Sequence, residues 1–440
     1  MKFNNKYILQ ISFVSALGGY LFGFDFAVIA GALPFLQHQF VLNAYWEGFA
    51  TGCLALGAIL GCILAGKVAE NYGRRPGLML SAGIFALSSI AMAFAPTRDV
   101  FIIARFFAGA GVGMASMMSP MYIAEIAPAP IRGRMVAINQ LTIVLGILIT
   151  NLINYMLRDA GVNAWRWMFG LGVVPSGLFL LGAYFLPESP RWLIEKKQED
   201  KAMAIFTKIG SADYAKESVE KIKKSLIGVQ RISYRAVFKK AALPAVLIGI
   251  GLAVFQQFCG INTVFNYAPK IFASIGASQS DQLLQTVFIG GVNVVFTVAA
   301  MLLVDKIGRK PLMLLGAGGL TILYIVIVQL LGAGSASVSW FLLASIGVYA
   351  MSLAPVTWVL ISEIFPNNIR SAAISVATLC LWAAYFILVF TFPILFKKLQ
   401  DNTFYIYAII CAIGFFFVLL KVKETKGKSL EELDQNLIRH

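Results

Sequence analysis

Two short polar motifs recur in this chain at almost the same spacing, each time between long apolar runs. Glu70-Asn71-Tyr72-Gly73-Arg74-Arg75-Pro76 returns as Asp305-Lys306-Ile307-Gly308-Arg309-Lys310-Pro311, 235 positions later. Glu125-Ile126-Ala127-Pro128 with Arg132 returns as Glu363-Ile364-Phe365-Pro366 with Arg370, 238 positions later. Nearly equal offsets for unrelated motifs point to a duplicated half rather than to chance. The apolar runs set the environment of that half. Stretches long enough to cross about 30 Å of hydrocarbon fall near 8–33, 45–66, 77–96, 100–124, 135–157 and 165–186, then near 243–272, 282–304, 311–333, 338–362, 371–396 and 403–422. The expectation is an all-α membrane protein with twelve transmembrane helices in two pseudo-symmetric six-helix bundles, the build of a machine in which one half rocks against the other.

Composition supports lipid as the solvent. The chain of 440 residues is 59% hydrophobic and 13% charged, with mean hydropathy +0.79. A soluble domain carries about 25% charged residues. The expected organisation is a first bundle over 1–186, a cytoplasmic helical linker over 187–241, a second bundle over 242–422 and a cytoplasmic tail over 423–440 that ends in a short helix. The linker has periodic apolar positions (Met203, Ile205, Phe206, Ile209, then Val219, Ile222, Leu226) typical of amphipathic helices.

The net charge of +15 sets topology rather than recruiting nucleic acid. Of 36 Lys and Arg, 29 lie on one side if both ends and the linker share it. Arg98, Arg158, Arg166, Lys270, Lys397 and Lys398 lie on the other, and Arg105 lies within a span. This bias places both termini in the cytoplasm, with the chain crossing a bacterial inner membrane many times. Cys53, Cys62, Cys259, Cys380 and Cys411 read as small core residues, and no metal site or cofactor is expected. Trp165 and Trp167, near a span end, suit an interfacial belt. The glycines of the second and fourth spans, Gly57, Gly61, Gly109, Gly111 and Gly113, suit close helix packing.

Asp25 and Arg105 are ionisable groups inside spans, each costing roughly 2.5–3.5 kcal/mol at a helix centre. Burial raises the pKa of an acid and a nearby guanidinium lowers it. A changing distance between the two would therefore bind and release a proton; the alternative is a permanent structural ion pair. The seventh span carries Gln256-Gln257-Phe258-Cys259-Gly260-Ile261-Asn262, and Gln140 and Asn293 add amides elsewhere. Amides donate to and accept from the hydroxyls of a polyol, and Trp358 and Trp382 offer flat faces for a sugar ring. For each, packing or interhelical bonding is the competing reading. Gly260 is expected to break its helix. The repeated loops suggest a charge network that gates one face, with Glu70, Arg74, Arg75, Glu125, Arg132, Glu188 and Arg191 in the first half and Asp305, Arg309, Glu363 and Arg370 in the second.

These residues resemble those of the sugar porter family within the major facilitator superfamily, over essentially the whole chain. Gly66 to Arg75 is similar to the superfamily loop GxxxDRxGRR, and Asp305 to Lys310 to its second copy. Arg105-Phe-Phe-Ala-Gly109, followed by Tyr122-x-x-Glu125-x-x-Pro128 and Arg132-Gly133, resembles the fourth-span signature. Pro187-Glu188-Ser189-Pro190-Arg191 matches PESPR, Glu424-Thr425-Lys426-Gly427 resembles the PETKG tail, and Gln256-Gln257 with Gly260 and Asn262 resembles the QQxxGxN sugar motif.

The resemblance implies alternating access around a central sugar site, with Gln140, Gln256, Gln257, Asn262, Asn293 and Trp358 at sugar-contacting positions. It also implies a proton-coupling pair, Asp25 with Arg105, as in bacterial proton-coupled xylose and hexose symporters. The expected partners are a monosaccharide, a proton and the lipid bilayer, with the chain working as a monomer and the proton gradient as driving force. A facilitative uniporter or a polyol carrier of the same fold is the alternative; no catalytic set points to an enzyme. Three departures stand out: Glu70-Asn71 for the usual Asp-Arg, Asn266 before Tyr267 for a Tyr-Tyr pair, and Leu381 beside Trp382 where an amide suits xylose.

Overall fold

The structure, a computed structural model, describes residues 3–226, 237–239, 242–365 and 369–426. Among these, every regular element is helical. The first six spans are α1 (Asn5–Phe40), α2 (Ala44–Asn71), α3 (Arg74–Ala93), α4 (Arg98–Ile126), α5 (Arg132–Met156) and a broken sixth, α6 (Ala164–Gly170) with α7 (Val173–Phe185). Short helices α8 (Pro190–Glu195), α9 (Glu199–Ile209) and α10 (Ala212–Leu226) follow in the linker. The second set is α11 (Leu243–Phe258) with α12 (Ile261–Ser274), α13 (Gln279–Ile307), α14 (Arg309–Gly332), α15 (Val338–Met351) with α16 (Leu353–Ile364), α17 (Arg370–Leu399) and α18 (Thr403–Lys421).

Eleven stretches are long and apolar enough to cross a membrane among the described residues. The last of them, 50 residues long, holds two passes, because the 3-10 turn Gln400–Asn402 separates α17 from α18. The expected helix at the end of the tail lies outside the described residues.

Besides the sixth, two spans of the second set are broken, each for a local reason. Gly260 sits in the left-handed region at φ 87°, so α11 stops and α12 restarts there. A side chain at that position would also strike Tyr407, since a Cβ there would lie 2.4 Å from its ring. Ser352 breaks the α15–α16 span, with Pro355 just beyond it removing a donor and crowding the preceding turn.

Packing divides the chain into two compact units. One comprises Met1–Asp25, Leu56–Ile147 and Phe169–Arg231. In it, a Cβ on Gly57 would lie 1.8 Å from the carbonyl oxygen of Phe106, and one on Gly61 2.1 Å from that of Ala110. The glycines thus let α2 and α4 meet backbone to backbone, which lipid alone would not drive.

The other unit comprises Phe26–Ala55, Leu148–Met168 and Ile232–His440. It joins the C-terminal part of α1, the N-terminal part of α2 and the end of α5 to helices of the second set. There, Asn151 donates to the carbonyl of Thr286 at 2.8 Å, and a Cβ on Gly48 would lie 2.2 Å from the carbonyl oxygen of Phe390.

Two residues depart from the sequence reading. Trp165 is fully buried rather than interfacial, because it packs edge-on against Phe40 with the Arg166 guanidinium over its ring. Trp167 is 62% exposed, as a belt residue should be. Cys380 is only half-buried, whereas the other four cysteines are core residues.

Candidate functional site

In the first unit, α1 and α4 bring Asp25 and Arg105 together, both with no exposed surface. Arg105 Nη1 donates to Asp25 Oδ1 at 3.2 Å, and Nη2 reaches the Asp25 carbonyl at 3.5 Å. The pair is not bidentate. Asp25 Oδ2 and Arg105 Nε are buried with no hydrogen-bond partner, and the guanidinium lies 5.7 Å from the centroid of the Phe169 ring. A buried carboxylate oxygen left open in this way is a place for a proton. Gln140 lies half-buried on α5 in the same unit, beside the buried Asn139, whose Oδ1 has no partner.

In the second unit, the amides around the Gly260 break form a chain of hydrogen bonds. Gln256 Nε2 donates to the Ala354 carbonyl at 3.3 Å. Gln257 Nε2 donates to Gln256 Oε1 at 3.2 Å, and Asn262 Nδ2 to Gln257 Oε1 at 2.5 Å. Asn266 Nδ2 donates to the Asn262 carbonyl at 2.7 Å, and the Tyr385 hydroxyl to Asn266 Oδ1 at 3.2 Å.

The break is what makes this possible. Interrupting the helix at Gly260 lets the Asn262 amide meet Gln257, five residues away. A second irregularity at Tyr267, just before Pro269, bounds the segment that carries Asn262 and Asn266. Trp382 stacks edge-on against Tyr385, with centroids 5.8 Å apart, and Phe26 packs on both Phe265 and Tyr385.

Asn293 is buried on α13, and Trp358 on α16 is 40% exposed, leaving a wide indole surface uncovered. Leu381 belongs to an apolar cluster with Ala253, Ile361 and Ala377, which accounts for an apolar side chain there. Asn266 and Tyr385 were not among the expected site residues. Asn266 is visible in the sequence only as a departure from a Tyr-Tyr pair.

The charged loops form the same network twice. In the first unit Arg74 makes a bidentate pair with Glu125, Nε to Oε2 at 2.9 Å and Nη2 to Oε1 at 2.7 Å. Ser189 donates to the same Glu125, and the Glu188 carboxylate accepts from the backbone N–H groups of Arg74 and Arg75. In the second unit Arg309 pairs with Glu363 at 3.2 Å, Thr425 donates to Glu363 at 2.5 Å, and the Glu424 carboxylate accepts from the N–H groups of Arg309 and Lys310.

Each carboxylate thereby caps the first turn of a helix, α3 or α14, where unpaired N–H groups and the helix dipole favour a negative charge. The preceding glycines make room. Gly73 (φ 100°) and Gly308 (φ 108°) adopt backbone angles closed to other residues, and a Cβ on Gly73 would collide with Glu188.

Several expected members of this network act otherwise. Arg132 and Arg370 donate to the carbonyls of Ala127 and Phe365 rather than to carboxylates. Those carbonyls end α4 and α16, where the dipole attracts a cation. Glu70 is exposed and contributes its carbonyl, which accepts from Trp192 Nε1. Arg191 is exposed, and Arg75 donates to the carbonyl of Tyr184. Asp305 lies in α13, but its side chain is outside the described residues. Glu424 was missed as the counterpart of Glu188, although it stands 236 positions later, close to the offset of the other repeats.

The two capping carboxylates titrate differently. Burial pushes Glu188 above the usual range, against the N–H donors of Ser189, Arg74 and Arg75. Burial acts on Glu424 in the same direction. There the N–H groups of Lys426, Arg309, Lys310 and Thr425 together outweigh it and hold the carboxyl below the usual range.

For Glu424 the folded protein binds its proton less tightly than the unfolded chain. Its stabilising contribution is present above the unfolded pKa and is lost as pH falls through the folded one. Glu188 has the opposite sign, so its contribution falls as pH rises through its folded pKa. On acidification Glu188 should protonate first. In infrared titrations the carboxylate band removed by Glu188→Gln is expected to disappear at a higher pH than the band removed by Glu424→Gln; the reverse order would contradict this assignment.

The profile of the Sugar (and other) transporter family matches residues 11–437. Over 98% of this chain and 95% of the relative, the sequence is 40% identical to the putative metabolite transport protein YwtG of Bacillus subtilis. It is 37% identical to the arabinose-proton symporter of the same organism, over 98% of this chain and 96% of that protein. The inward open conformation of the xylose transporter XylE from E. coli is similar in structure, with a TM-score of 0.87 and 36% identity. That match covers 98% of this chain and all of the solved one.

Proposed function

The chain belongs to the sugar (and other) transporter family, and from that premise we propose that it imports a monosaccharide, pentose or hexose, together with a proton by alternating access. The observation that carries the reading is the buried Asp25–Arg105 pair with one carboxylate oxygen left open. Relatives named as an arabinose-proton symporter and a xylose transporter support the substrate class and the coupling ion.

Protonation at Asp25 Oδ2 removes the charge that holds Arg105, so the two helices carrying them are free to part. Phe26, the next residue of α1, packs against Phe265 and Tyr385, the aromatic side of the amide chain. Gln256, Gln257 and Asn262 supply the donors and acceptors, with Gln140 and Asn293 as further amides and Trp358 and Trp382 as apolar faces.

The protein works as an integral membrane monomer. Both termini and the Glu188 and Glu424 networks face the cytoplasm, in keeping with the distribution of Lys and Arg. The driving force is the proton gradient, without a bound cofactor. Downhill uptake of labelled pentoses, hexoses and inositol into liposomes tests the substrate class. Uptake of one or more monosaccharides, competed by the same unlabelled sugar, is the expected result. Transport of inositol alone would move the protein to the polyol carriers, and transport of nothing in the panel would refute the proposal.

A further inference from the structure

The second unit holds an ion pair that the sugar and proton sites do not use. Glu47 lies in the first turn of α2 with 2% of its surface exposed. Lys270 Nζ lies 2.8 Å from its Oε1 and 2.6 Å from its Oε2. Lys270 follows Pro269 on α12, the helix that also carries Asn262 and Asn266.

The surroundings are built for close approach. Gly48, beside Glu47, lets α2 touch the backbone of α17 at Phe390. Tyr45 and Phe49 pack edge-on against Phe390 in the same contact. A cavity of about 140 Å3, lined by Pro34, Gln37, Lys270 and Gln282 among others, opens at the lysine.

The two charges come from different sixes of spans, α2 from the first and α12 from the second. Glu47 is also at the opposite end of α2 from the Arg74 network, so it faces outward in the proposed orientation. A buried carboxylate deprived of its partner is costly, by roughly 3–5 kcal/mol when one member of a buried pair is removed. Without Lys270 the Glu47 carboxylate would be left buried and unpaired, so parting the two requires both groups to reach water. A contact made in one access state and absent in the other biases the equilibrium between them.

We propose that Glu47 and Lys270 form the latch that holds the outer face closed and so set the balance between the two access states. They are positioning residues and do not touch sugar. This rests on the alternating-access reading above.

The test is a double-mutant cycle read by sided labelling. Thr51, fully buried on α2 and lying against Tyr267 of α12, is replaced by cysteine in a background with the five native cysteines changed to alanine. Right-side-out vesicles are treated with a membrane-impermeant maleimide. Glu47→Gln and Lys270→Met are each expected to speed alkylation about tenfold, and the double substitution no more than either single one, because each removes the same contact.

Wild-type rates in both single variants would overturn the latch, as would effects that multiply in the double variant. Hydrogen exchange over residues 44–55 in protein with its native cysteines reads the same opening if the cysteine-free background does not fold. Neither assay uses sugar or a proton gradient, so a failed latch and a failed symport reading remain distinguishable.

Discussion

Asp25→Asn is expected to abolish uphill accumulation of sugar while leaving downhill exchange of labelled sugar within a few fold of the unsubstituted protein. Asparagine keeps the shape and one acceptor for Arg105, so the 3.2 Å contact with Nη1 survives in neutral form. What is lost is the second oxygen, proposed to take the proton and without a hydrogen-bond partner in the structure. The energetic consequence is large. Moving one proton across 100 mV and one pH unit makes about 3.7 kcal/mol available, which sustains a sugar gradient of a few hundredfold. Without a titrating group that gradient falls to unity, whereas exchange needs only the alternation of access. The check is accumulation and exchange measured on the same liposome preparation. Undiminished accumulation in Asp25→Asn would place the proton elsewhere and leave Asp25 and Arg105 as a structural pair.

The second large effect is expected at Gln257. It is the hub of the amide chain, accepting from Asn262 and donating to Gln256. Gln257→Ala leaves the Asn262 amide and the Gln256 oxygen unpaired together and removes a group suited to a sugar hydroxyl. An unpaired buried polar group costs about 1–3 kcal/mol, so sugar affinity is expected to weaken about 10- to 100-fold. Titration of the purified protein with sugar at fixed pH, followed by tryptophan fluorescence or calorimetry, measures it. An unchanged affinity would remove Gln257 from the site. The proton-linked step should be preserved, since the hydrogen bonds between Arg105 and Asp25 do not involve this amide.

The features around Asp25 and Gln257 were readable in the sequence to different degrees. The spans were legible because about twenty apolar residues in a row are a local signal, and the helices begin and end within a few residues of the runs except at α1, which extends to Phe40. The Gly260 break was legible for the same reason, since a glycine inside an apolar span carries its own conformational meaning. The break at Ser352 was not anticipated, although Pro355 was there to signal it.

Asp25 with Arg105 could be paired from sequence because ionisable groups inside spans are few. The Arg74–Glu125 and Arg309–Glu363 pairs were legible because the duplication states them twice. Glu424 carried the same signal as Glu188 and was passed over as tail.

What was not legible depends on which faces of long helices meet. Glu47 and Lys270 are 223 residues apart, and each alone reads as an ordinary charge at a span end. The bond from Tyr385 to Asn266 depends on the rotation of α17 against α12, which apolar composition does not fix. The burial of Trp165 depends on where Phe40 ends, on an extension of α1 that the hydropathy pattern does not show. Arg132 and Arg370 look like partners for acids in sequence, but the helix ends beside them offer nearer acceptors.

The most direct measurement is uptake of labelled monosaccharide by the purified protein in liposomes, first under an imposed inward proton gradient, then with a protonophore, then with no gradient. The account predicts accumulation above the external concentration that collapses to equilibrium when the protonophore is added. Uptake that only equilibrates and is indifferent to the gradient would contradict it, leaving a facilitator in which Asp25 holds Arg105 and carries no proton.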